Sequence, residues 1–227
     1  MWNGKYTLVR SQRKTIALYI KDGALQVRSP QRLSIHEIEK IVLSKEKWIR
    51  NGLLRSFEKK LSRDSFELKY GDLVTYRGEP CQIVAKQGSR SGYEHKQFFV
   101  PPDLSSKQIM SACIKVYKVL AKLDIIQKVN HFAKQMSVKP ASVKINSART
   151  RWGSCSMKRN LNFSWRLIMA DDDVIDYVVV HELAHLRQMN HSAQFWEIVE
   201  QTIPDYQSRR QRLKDLQFKL AKEGWSL

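Results

Sequence analysis

The spacing of apolar and polar residues divides the N-terminal half of the chain into strand-like and helix-like stretches. Residues 6–29 alternate as short strands, and Lys21-Asp22-Gly23 is a hairpin signal within them. Ser34, followed three residues later by Glu37, forms a capping-box pattern that predicts the start of a helix. The other elements predicted in this half are a helix over about residues 45–61 and several strands over 67–100.

Pro101-Pro102 interrupts the strand pattern, and a long amphipathic helix is predicted over about residues 105–137. Its predicted core face carries apolar residues at three- and four-residue steps: Ile109, Ala112, Val116, Val119 or Leu120, Leu123 and Ile126. Its other face carries Lys107, Lys115, Lys118, Lys122 and Lys128. The remaining predicted elements are strands over 142–146 and 160–168, a helix from 171 to about 189, and helices over about 192–202 and 205–222.

This order of elements predicts the α+β class, because runs of strands and runs of helices follow one another without a regular βαβ alternation. The break at Pro101-Pro102 suggests two parts. Residues 1–101 are a β-rich N-terminal region with helices and no assigned role, and residues 102–227 are a second domain with a small sheet and several helices.

The charge of the chain is large and uneven. Lys and Arg number 40 and Asp and Glu 22, which gives a formal net charge of +18, and the hydrophobic share of 42% is enough for a folded core. Residues 1–101 carry +10, residues 102–170 carry +11 and residues 171–227 carry −3. The basic surface is compatible with a nucleic acid or nucleotide partner, and equally with a surface that is merely soluble.

The cysteines and the lengths of the apolar runs indicate the cellular compartment in which the protein is expected. Cys81, Cys113 and Cys155 are odd in number and lack CxxC spacing, which favours a reducing compartment over a disulfide framework. No apolar run reaches the length of a membrane span, and the first residues lack a signal-peptide pattern. We therefore expect a cytoplasmic protein that does not associate with membranes.

Residues 181–185 carry the strongest chemical signal in the chain. They read His181-Glu-Leu-Ala-His185, and spacing i, i+4 on a helix places both imidazoles on one face, where they can share a metal ion. A chain of this composition would contain the pattern by chance only about 0.008 times, so coincidence is a poor explanation. Glu182 lies about 100° around the helix from His181, which suits a base better than a third ligand.

His191 is the expected third zinc ligand. On an uninterrupted helix it would lie about 9 Å beyond His185 and on another face, so the chain must turn first. Asn190 tolerates the left-handed conformation found at helix ends, and Ser192 can cap a following helix. We expect a Zn²⁺ site with three imidazole ligands and one open position, which is typical of a catalytic site.

The expected chemistry is hydrolysis, with Glu182 taking a proton from a zinc-bound water and passing it to the leaving amine. A group that stabilises the oxyanion is also required. Sequence does not choose among the candidates Tyr206, His131, Arg151 and Arg209.

A family resemblance supports this interpretation. It is carried by Arg149-Thr-Arg-Trp-Gly-Ser-Cys-Ser156, Asn160-Leu-Asn-Phe, His181-Glu-Leu-Ala-His-Leu, Asn190-His-Ser192, Phe195-Trp196 and Pro204-Asp-Tyr206. Together these segments resemble the YgjP-like metallopeptidase family, a zincin family similar in motif to SprT-like and WLM-type metalloproteases. The resemblance implies that 102–227 is a zincin-like metallopeptidase domain with His181, His185 and His191 as zinc ligands and Glu182 as the catalytic base.

Four further residues are candidates for substrate binding: Arg151, Trp152, Tyr206 and Arg209. For the segment Arg151-Trp-Gly-Ser-Cys155 the structural alternative is favoured, with Trp152 and Cys155 in the core and Gly153 at a bulge or turn. Cys155 is not expected to be a fourth ligand, since it would close the open position of the metal.

Two other functions stay open. A metal-dependent nucleotide pyrophosphohydrolase or phosphohydrolase would use the same water and many basic residues, although the chain has no P-loop. A nucleic-acid-binding protein with a structural zinc would explain the charge, but it would leave Glu182 without a role and lacks a convincing fourth ligand. A peptide or protein substrate is therefore the first expectation.

Overall fold

A computed structural model of the protein describes residues 4–21, 23–223 and 225. The fold is α+β, as predicted, with three small sheets and six α-helices in the described residues. The chain divides into two compact units, one formed mainly by residues 1–66 and the other mainly by residues 67–221. Within the described ranges, no helix has the length and apolar character needed to cross a membrane.

The smaller unit is a three-stranded sheet packed with two helices. β3 (Ala24–Pro30) is the central strand; it runs parallel to β1 (Thr7–Ser11) and antiparallel to β2 (Ala17–Lys21). Helices α1 (Ile35–Ser44) and α2 (Glu46–Ser65) follow it. The core of this unit consists of Leu25, Val27, Ile38, Val42 and Ile49.

Two local predictions for this unit are confirmed. The capping box at the start of α1 is present: the Ser34 hydroxyl accepts from the Glu37 amide, and the Glu37 carboxylate accepts from the Ser34 amide. The hairpin also forms, with Lys21 opposite Ala24. Asp22, which belongs to the predicted turn, lies outside the described residues.

The larger unit begins with a four-stranded sheet and a long helix. Strands β4 (Leu73–Tyr76), β5 (Glu79–Ala85), β6 (Gly92–Glu94) and β7 (Gln97–Val100) pair in the order β4-β5-β7-β6. Helix α3 (Ser106–Gln135) packs on this sheet, and the Phe98 and Tyr117 rings lie 4.8 Å apart. The Tyr117 hydroxyl donates a hydrogen bond of 2.7 Å to the Thr75 carbonyl.

A second sheet and three helices complete this unit. β10 (Asn160–Ser164) is central, parallel to β8 (Ser142–Asn146) and antiparallel to β9 (Gly153–Cys155). A short 3-10 helix covers Trp165–Met169. The last elements are helices α4 (Asp172–Ala184), α5 (Ala193–Thr202) and α6 (Tyr206–Lys222).

Three predicted boundaries were wrong. Residues 66–70 form no strand, the strand predicted over 160–168 ends at Ser164, and the helix predicted to reach Met189 ends at Ala184. In the second case the five residues of the 3-10 helix are all buried, so their apolar run reflects burial on every side and not strand alternation.

The face of α3 that enters the core also differs from the prediction. Ile109 and Val116 are buried as expected, but Val119 and Leu123 are 60% and 63% exposed. The buried face continues instead through Tyr117, Ala121, Ile125, Val129 and Ala133. Helix α4, strands of both sheets and the 3-10 helix pack around α3. The buried part of its surface is therefore wider than the single apolar stripe that the sequence pattern defines.

The sequence-based division between residues 101 and 102 does not coincide with the division by contacts. Strands β4–β7 belong to the same compact unit as α3 and the elements after it. The Tyr76 hydroxyl, for example, donates to the Asp124 carboxylate of α3 at 2.7 Å. That residues 1–101 act as a region of their own stays a prediction.

Candidate metal centre

Helix α4 is held in the larger unit by apolar burial along its length and by ion pairs at its start. Nine of its thirteen residues are buried, including Val178, Val179 and Val180. At its N-terminus, Asp171 pairs with Arg212 at 3.0 Å, and Lys128 of α3 pairs with Asp172 at 3.0 Å. The negative charges of acidic residues at this end also interact favourably with the positive end of the helix dipole. The C-terminal turn of α4 is thereby fixed against its neighbours.

Three histidines converge at the C-terminal end of α4. One ring nitrogen from each of His181, His185 and His191 lies within 4.8 Å of those of the other two. The Nε2 atoms of His181 and His191 are 3.1 Å apart. Among the residues that the structure describes, this is the one group of three or more potential ligand side chains.

His191 reaches this cluster because the chain reverses directly after α4. The turn at residues 185–187 ends the helix, and a bend at residues 189–190 brings His191 back beside His181. Asn190 does not adopt the left-handed conformation that was predicted. Its side chain stabilises the turn instead, since its Oδ1 accepts from the Gln188 amide group at 2.8 Å and from the Ser192 backbone N–H at 3.3 Å.

The hydrogen bonds of the imidazoles suit metal binding. His185 Nδ1 lies 3.1 Å from the carbonyl oxygen of Gln188, which fixes the proton on Nδ1 and leaves Nε2 free as a ligand atom. Ser192 stands at the N-cap position of α5, but its hydroxyl makes no capping bond and accepts from Gln188 Nε2 at 3.0 Å. The backbone carbonyl of Gln188 contacts His185, and its side-chain amide contacts Asn190 and Ser192, which flank His191. Gln188 therefore links His185 to the turn that carries His191.

Burial favours the neutral imidazole at His181 and His185. Burial, together with the neighbouring His185 and His191, lowers the pKa of His181 to about 3. Burial also lowers the pKa of His185. His181 Nδ1 is buried and has no hydrogen-bond partner among the described residues. Imidazole nitrogens that converge on one point are a donor set that suits zinc.

Glu182 lies on the neighbouring face of α4 and contacts strand β9. Its side chain is buried, and burial raises the pKa of the carboxyl group to about 8, although the positive charge of Arg151 acts in the opposite direction. A Cβ at Gly153 would lie 2.6 Å from both Cγ and Oε1 of Glu182. Only glycine therefore leaves room for this carboxyl group. A cavity of about 280 Å³ runs between Gly153–Cys155, the three histidines, Glu182 and Met189.

Aromatic rings form one wall of the site. The Phe195 ring lies 4.9 Å from His181 and 4.5 Å from His185. Trp196 stacks on His191 at 5.7 Å and on Tyr206 at 5.3 Å. These rings exclude water from the rear of the imidazoles, which accounts for the strong desolvation of His181.

The remaining predicted site residues lie in three different settings. Tyr206 is buried behind the cluster and stacks on Tyr177 and Trp196. Arg151 is exposed at the start of the segment that leads to Gly153, and the half-buried Trp152 uses its carbonyl to accept a 2.8 Å bond from the Ser164 amide. Arg209 is occupied by an ion pair with Asp205 and a bond to the Asp173 carbonyl.

Two candidates lie away from the cluster or outside its ligand set. His131 lines a separate cavity with Arg77, Asp124 and Lys128, and none of the three clustered histidines borders it. Cys155 borders the metal cavity but does not belong to the ligand group. Gly153 is the first residue of strand β9, where a bulge or turn had been expected.

Sequence reasoning did not assign Trp196 or Arg210 to the site, and it favoured a structural role for Gly153. The Cζ atom of Arg210 lies 5.2 Å from the centre of the Trp196 ring. A weak signal for Arg210 was present, because it follows Tyr206 by four residues and so shares its helix face. No sequence signal linked Gly153 to Glu182.

The chain belongs to the YgjP-like metallopeptidase family, whose domain model matches residues 14–216. The protein is thus a member of a hydrolase family that depends on a metal ion. Comparison with curated proteins found no match.

Two solved structures are similar to part of the chain. One is the metallopeptidase zymogen abylysin of Pyrococcus abyssi, with 21% identity, a TM-score of 0.38, and coverage of 42% of this chain and 94% of that one. The other is the metallopeptidase zymogen jannalysin of Methanocaldococcus jannaschii, with 20% identity, a TM-score of 0.36, and coverage of 41% and 94%. Both likenesses cover well under half of this chain, so the family membership rests on the domain model.

Proposed function

We propose that the protein is a zinc-dependent peptidase in which His181, His185 and His191 hold the ion and Glu182 is the general base. The observation that carries the proposal is the convergence of three imidazole nitrogens within 4.8 Å of one another beside a buried carboxyl group. Three imidazoles without a fourth side-chain ligand are typical of catalytic zinc and leave one position for water or substrate.

Zinc, when bound, lowers the pKa of a coordinated water and polarises a substrate carbonyl. Glu182 contributes the proton transfer. Burial raises the pKa of its carboxyl group, which makes the carboxylate a stronger proton acceptor. Gly153 leaves space for this carboxyl group, and the aromatic wall of Phe195 and Trp196 limits the access of bulk water.

The experiment is metal analysis combined with a substrate screen. Wild-type protein and Glu182→Gln are loaded with zinc, their metal content is measured by mass spectrometry, and a mixture of proteome-derived peptides is offered to both. We expect both proteins to retain one zinc and the variant to lose roughly 100-fold or more of the cleavage rate, the typical effect of removing a general base.

Other outcomes would support the alternatives. Phosphate or pyrophosphate released from nucleoside triphosphates, and lost in Glu182→Gln, would favour hydrolysis of phosphoanhydrides by the same site. Retention of zinc without either activity would favour a structural metal in a nucleic-acid-binding protein. Nucleic acid binding by the basic surface is tested separately by its dependence on salt concentration.

We also propose that the protein works in the cytoplasm. Cys81, Cys113 and Cys155 are all free, and the first two are buried, which supports a reducing environment. We expect the protein in the cytosolic fraction of cells. We also expect the buried thiols of Cys81 and Cys113 to react with an alkylating reagent only after the protein is unfolded.

A further inference from the structure

A groove runs along the first half of α3, in the larger unit of the chain. Its volume is about 580 Å³, against about 280 Å³ for the metal cavity, and the two share no lining residue. One wall belongs to α3, and the other belongs to residues 89–93, at the start of strand β6. The apolar side chains that α3 contributes are those of Ala112, Val116, Val119 and Leu120. The groove is therefore a surface distinct from the metal centre.

Strand β6 lies at the edge of its sheet. The strand order β4-β5-β7-β6 leaves one side of β6 without a partner strand among the described residues. The two-residue loop His95-Lys96 joins β6 to β7, and both of its residues have positive φ. In such a hairpin the residue pair next to the loop is hydrogen-bonded and the following pair, here Tyr93 with Phe98, is not. The backbone amide and carbonyl of Tyr93 therefore point away from β7, toward the side where a further strand can pair.

The helical wall of the groove has an apolar stripe beside a basic one. With about 100° of rotation per residue, four exposed lysines of α3 fall within an arc of about 80°. These residues, called the lysine stripe below, are Lys107, Lys115, Lys118 and Lys122. The next arc of the helix carries Ala112 and Val119, and Val119 is 60% exposed although it lines the groove. A molecule in the groove therefore meets apolar side chains and has a row of cations along one side.

The charges of the lysine stripe have no carboxylate partner in the part of the chain that the structure describes. The lysines that form ion pairs there are Lys69, Lys86 and Lys128. Lys128 is also in α3, but it pairs with two aspartates of α4 and so holds the two helices together. Glu94, the acidic residue of β6, pairs with Lys86. The groove is therefore bordered by uncompensated positive charge, which favours an acidic ligand.

We propose that the groove binds an extended segment of a partner protein in which apolar residues are flanked by acidic ones. The segment adds to the open side of β6 as a further strand, which provides main-chain hydrogen bonds. Its alternate side chains face α3, where the apolar ones pack against Val119 and its neighbours and the acidic ones meet the lysine stripe. A nucleic acid would use the lysines but would leave the strand edge and the apolar stripe without contacts. The inference does not depend on the proposed peptidase function.

The first test uses the peptide acetyl-Glu-Glu-Val-Glu-Ile-Glu-Glu-amide as the probe. Its binding to zinc-loaded, full-length Glu182→Gln, a background chosen to prevent cleavage, is measured by calorimetry. In this background Val119→Asp is expected to weaken binding about tenfold, because an apolar contact is lost and a negative charge takes its place. Phe218→Asp, at a 71% exposed position on α6, is the matched control and is expected to bind as before.

The same titrations measure the contribution of charge. Lys115→Glu, which alters a residue that lines the groove, is expected to weaken binding several-fold, and the loss should shrink at high salt. Lys214→Glu on the exposed face of α6 changes the net charge equally and is expected to have no effect. A probe with Gln in place of every Glu is expected to bind about tenfold more weakly than the acidic probe. Thermal unfolding of each variant shows whether it is folded.

The second test examines strand pairing. The N–H groups of successive residues in a strand point to opposite sides, so only alternate ones can bond to β6. Two analogues of the acidic probe are compared, one with N-methyl groups on Val and Ile and the other with an N-methyl group on the Glu between them. We expect one analogue to lose binding and the other to keep it.

Each outcome decides the inference without deciding the peptidase. Binding of the acidic probe that Val119→Asp and Lys115→Glu weaken, and that one N-methylated analogue loses, supports it whether or not any peptide is cleaved. No binding of the probe, equal binding by all variants, or equal binding of both analogues overturns it. Binding of a single- or double-stranded oligonucleotide that Lys115→Glu weakens, with no binding of the probe, overturns it in favour of a nucleic acid.

Discussion

Gly153 lies against the side chain of Glu182, so closely that a methyl group at Gly153 would approach Cγ and Oε1 of Glu182 to 2.6 Å. The two residues are far apart in sequence and come from strand β9 and helix α4. The absence of a side chain at Gly153 therefore determines where the carboxyl group of Glu182 can lie.

Gly153→Ala is expected to impair activity while zinc binding is retained. The added methyl group must displace the Glu182 carboxyl group, and a misplacement of about 1 Å can cost roughly 100-fold in rate. The measurement is kcat together with zinc content. Gly92→Ala, which adds the same methyl group against the Phe99 ring away from the metal cavity, is the control. A Gly153→Ala variant with wild-type kcat would contradict the role assigned to this contact.

Removal of zinc is expected to lower the thermal stability of the protein. A bound ion stabilises the folded state by mass action, by about 4 kcal/mol at a free concentration of about 1,000 times Kd. Unfolding is followed by circular dichroism with zinc and with a chelator, for wild type and for His191→Ala. We expect the difference to vanish in His191→Ala and to persist in His131→Ala, which alters an exposed histidine outside the cluster. A zinc effect of equal size in both variants would exclude His191 as a ligand.

Gln188→Ala is expected to weaken zinc binding without removing a ligand. The Gln188 side-chain amide donates to Asn190 Oδ1 and to Ser192 Oγ. These two residues flank His191 in the sequence. Loss of groups that orient a ligand typically costs about 10- to 100-fold in metal affinity. The affinity is measured by competition with a chelator of known Kd. Gln211→Ala on the exposed face of α6 is the matched control. An unchanged zinc affinity in Gln188→Ala would show that the turn keeps its shape without the Gln188 side chain.

The ion pair between Asp173 and Arg212 is expected to make the free energy of unfolding depend on pH in the acidic range. Burial by itself would raise the pKa of Asp173, but the hydrogen bond from Arg212 and the charges of Arg212 and Arg209 outweigh it and lower that pKa. The charged carboxylate is therefore favoured by folding. Its contribution is present above the ordinary pKa of aspartate and is lost as the pH falls through the lowered value in the folded protein.

Asp173→Asn tests this dependence. Since the Asp173 side chain is 39% exposed, we expect a loss of at most about 1 kcal/mol at pH 7, and this loss should shrink below about pH 4. Urea unfolding of the metal-free protein between pH 7 and pH 3 measures it. Glu200→Gln on the exposed surface is the control, and a deficit in Asp173→Asn that stays constant across the range would contradict the ion-pair explanation.

Local patterns were enough to predict the centre of the site. The i, i+4 spacing of His181 and His185 acts within one helical turn, and the requirement for a reversal before His191 follows from the rise of a helix. The capping box at Ser34 is likewise local, and it is present. These predictions needed only neighbouring residues, because backbone geometry relates positions a few residues apart in a fixed way.

Contacts between distant segments were decided by tertiary structure. Val119 and Leu123 fit an apolar stripe yet are exposed, because the buried arc of α3 depends on what packs around it. The turn before His191 is held by the Asn190 side chain and not by a left-handed backbone. Neither outcome is encoded in residue spacing alone.

Residue spacing along the chain specifies the three clustered histidines, the helix that carries two of them and the turn that the third requires. The contact of Gly153 with Glu182 and the packing of Trp196 between His191 and Tyr206 arise only when distant segments fold together. The physical reason is that a helix repeats every 3.6 residues whatever surrounds it, whereas the meeting of separate strands and helices depends on the packing of the whole unit.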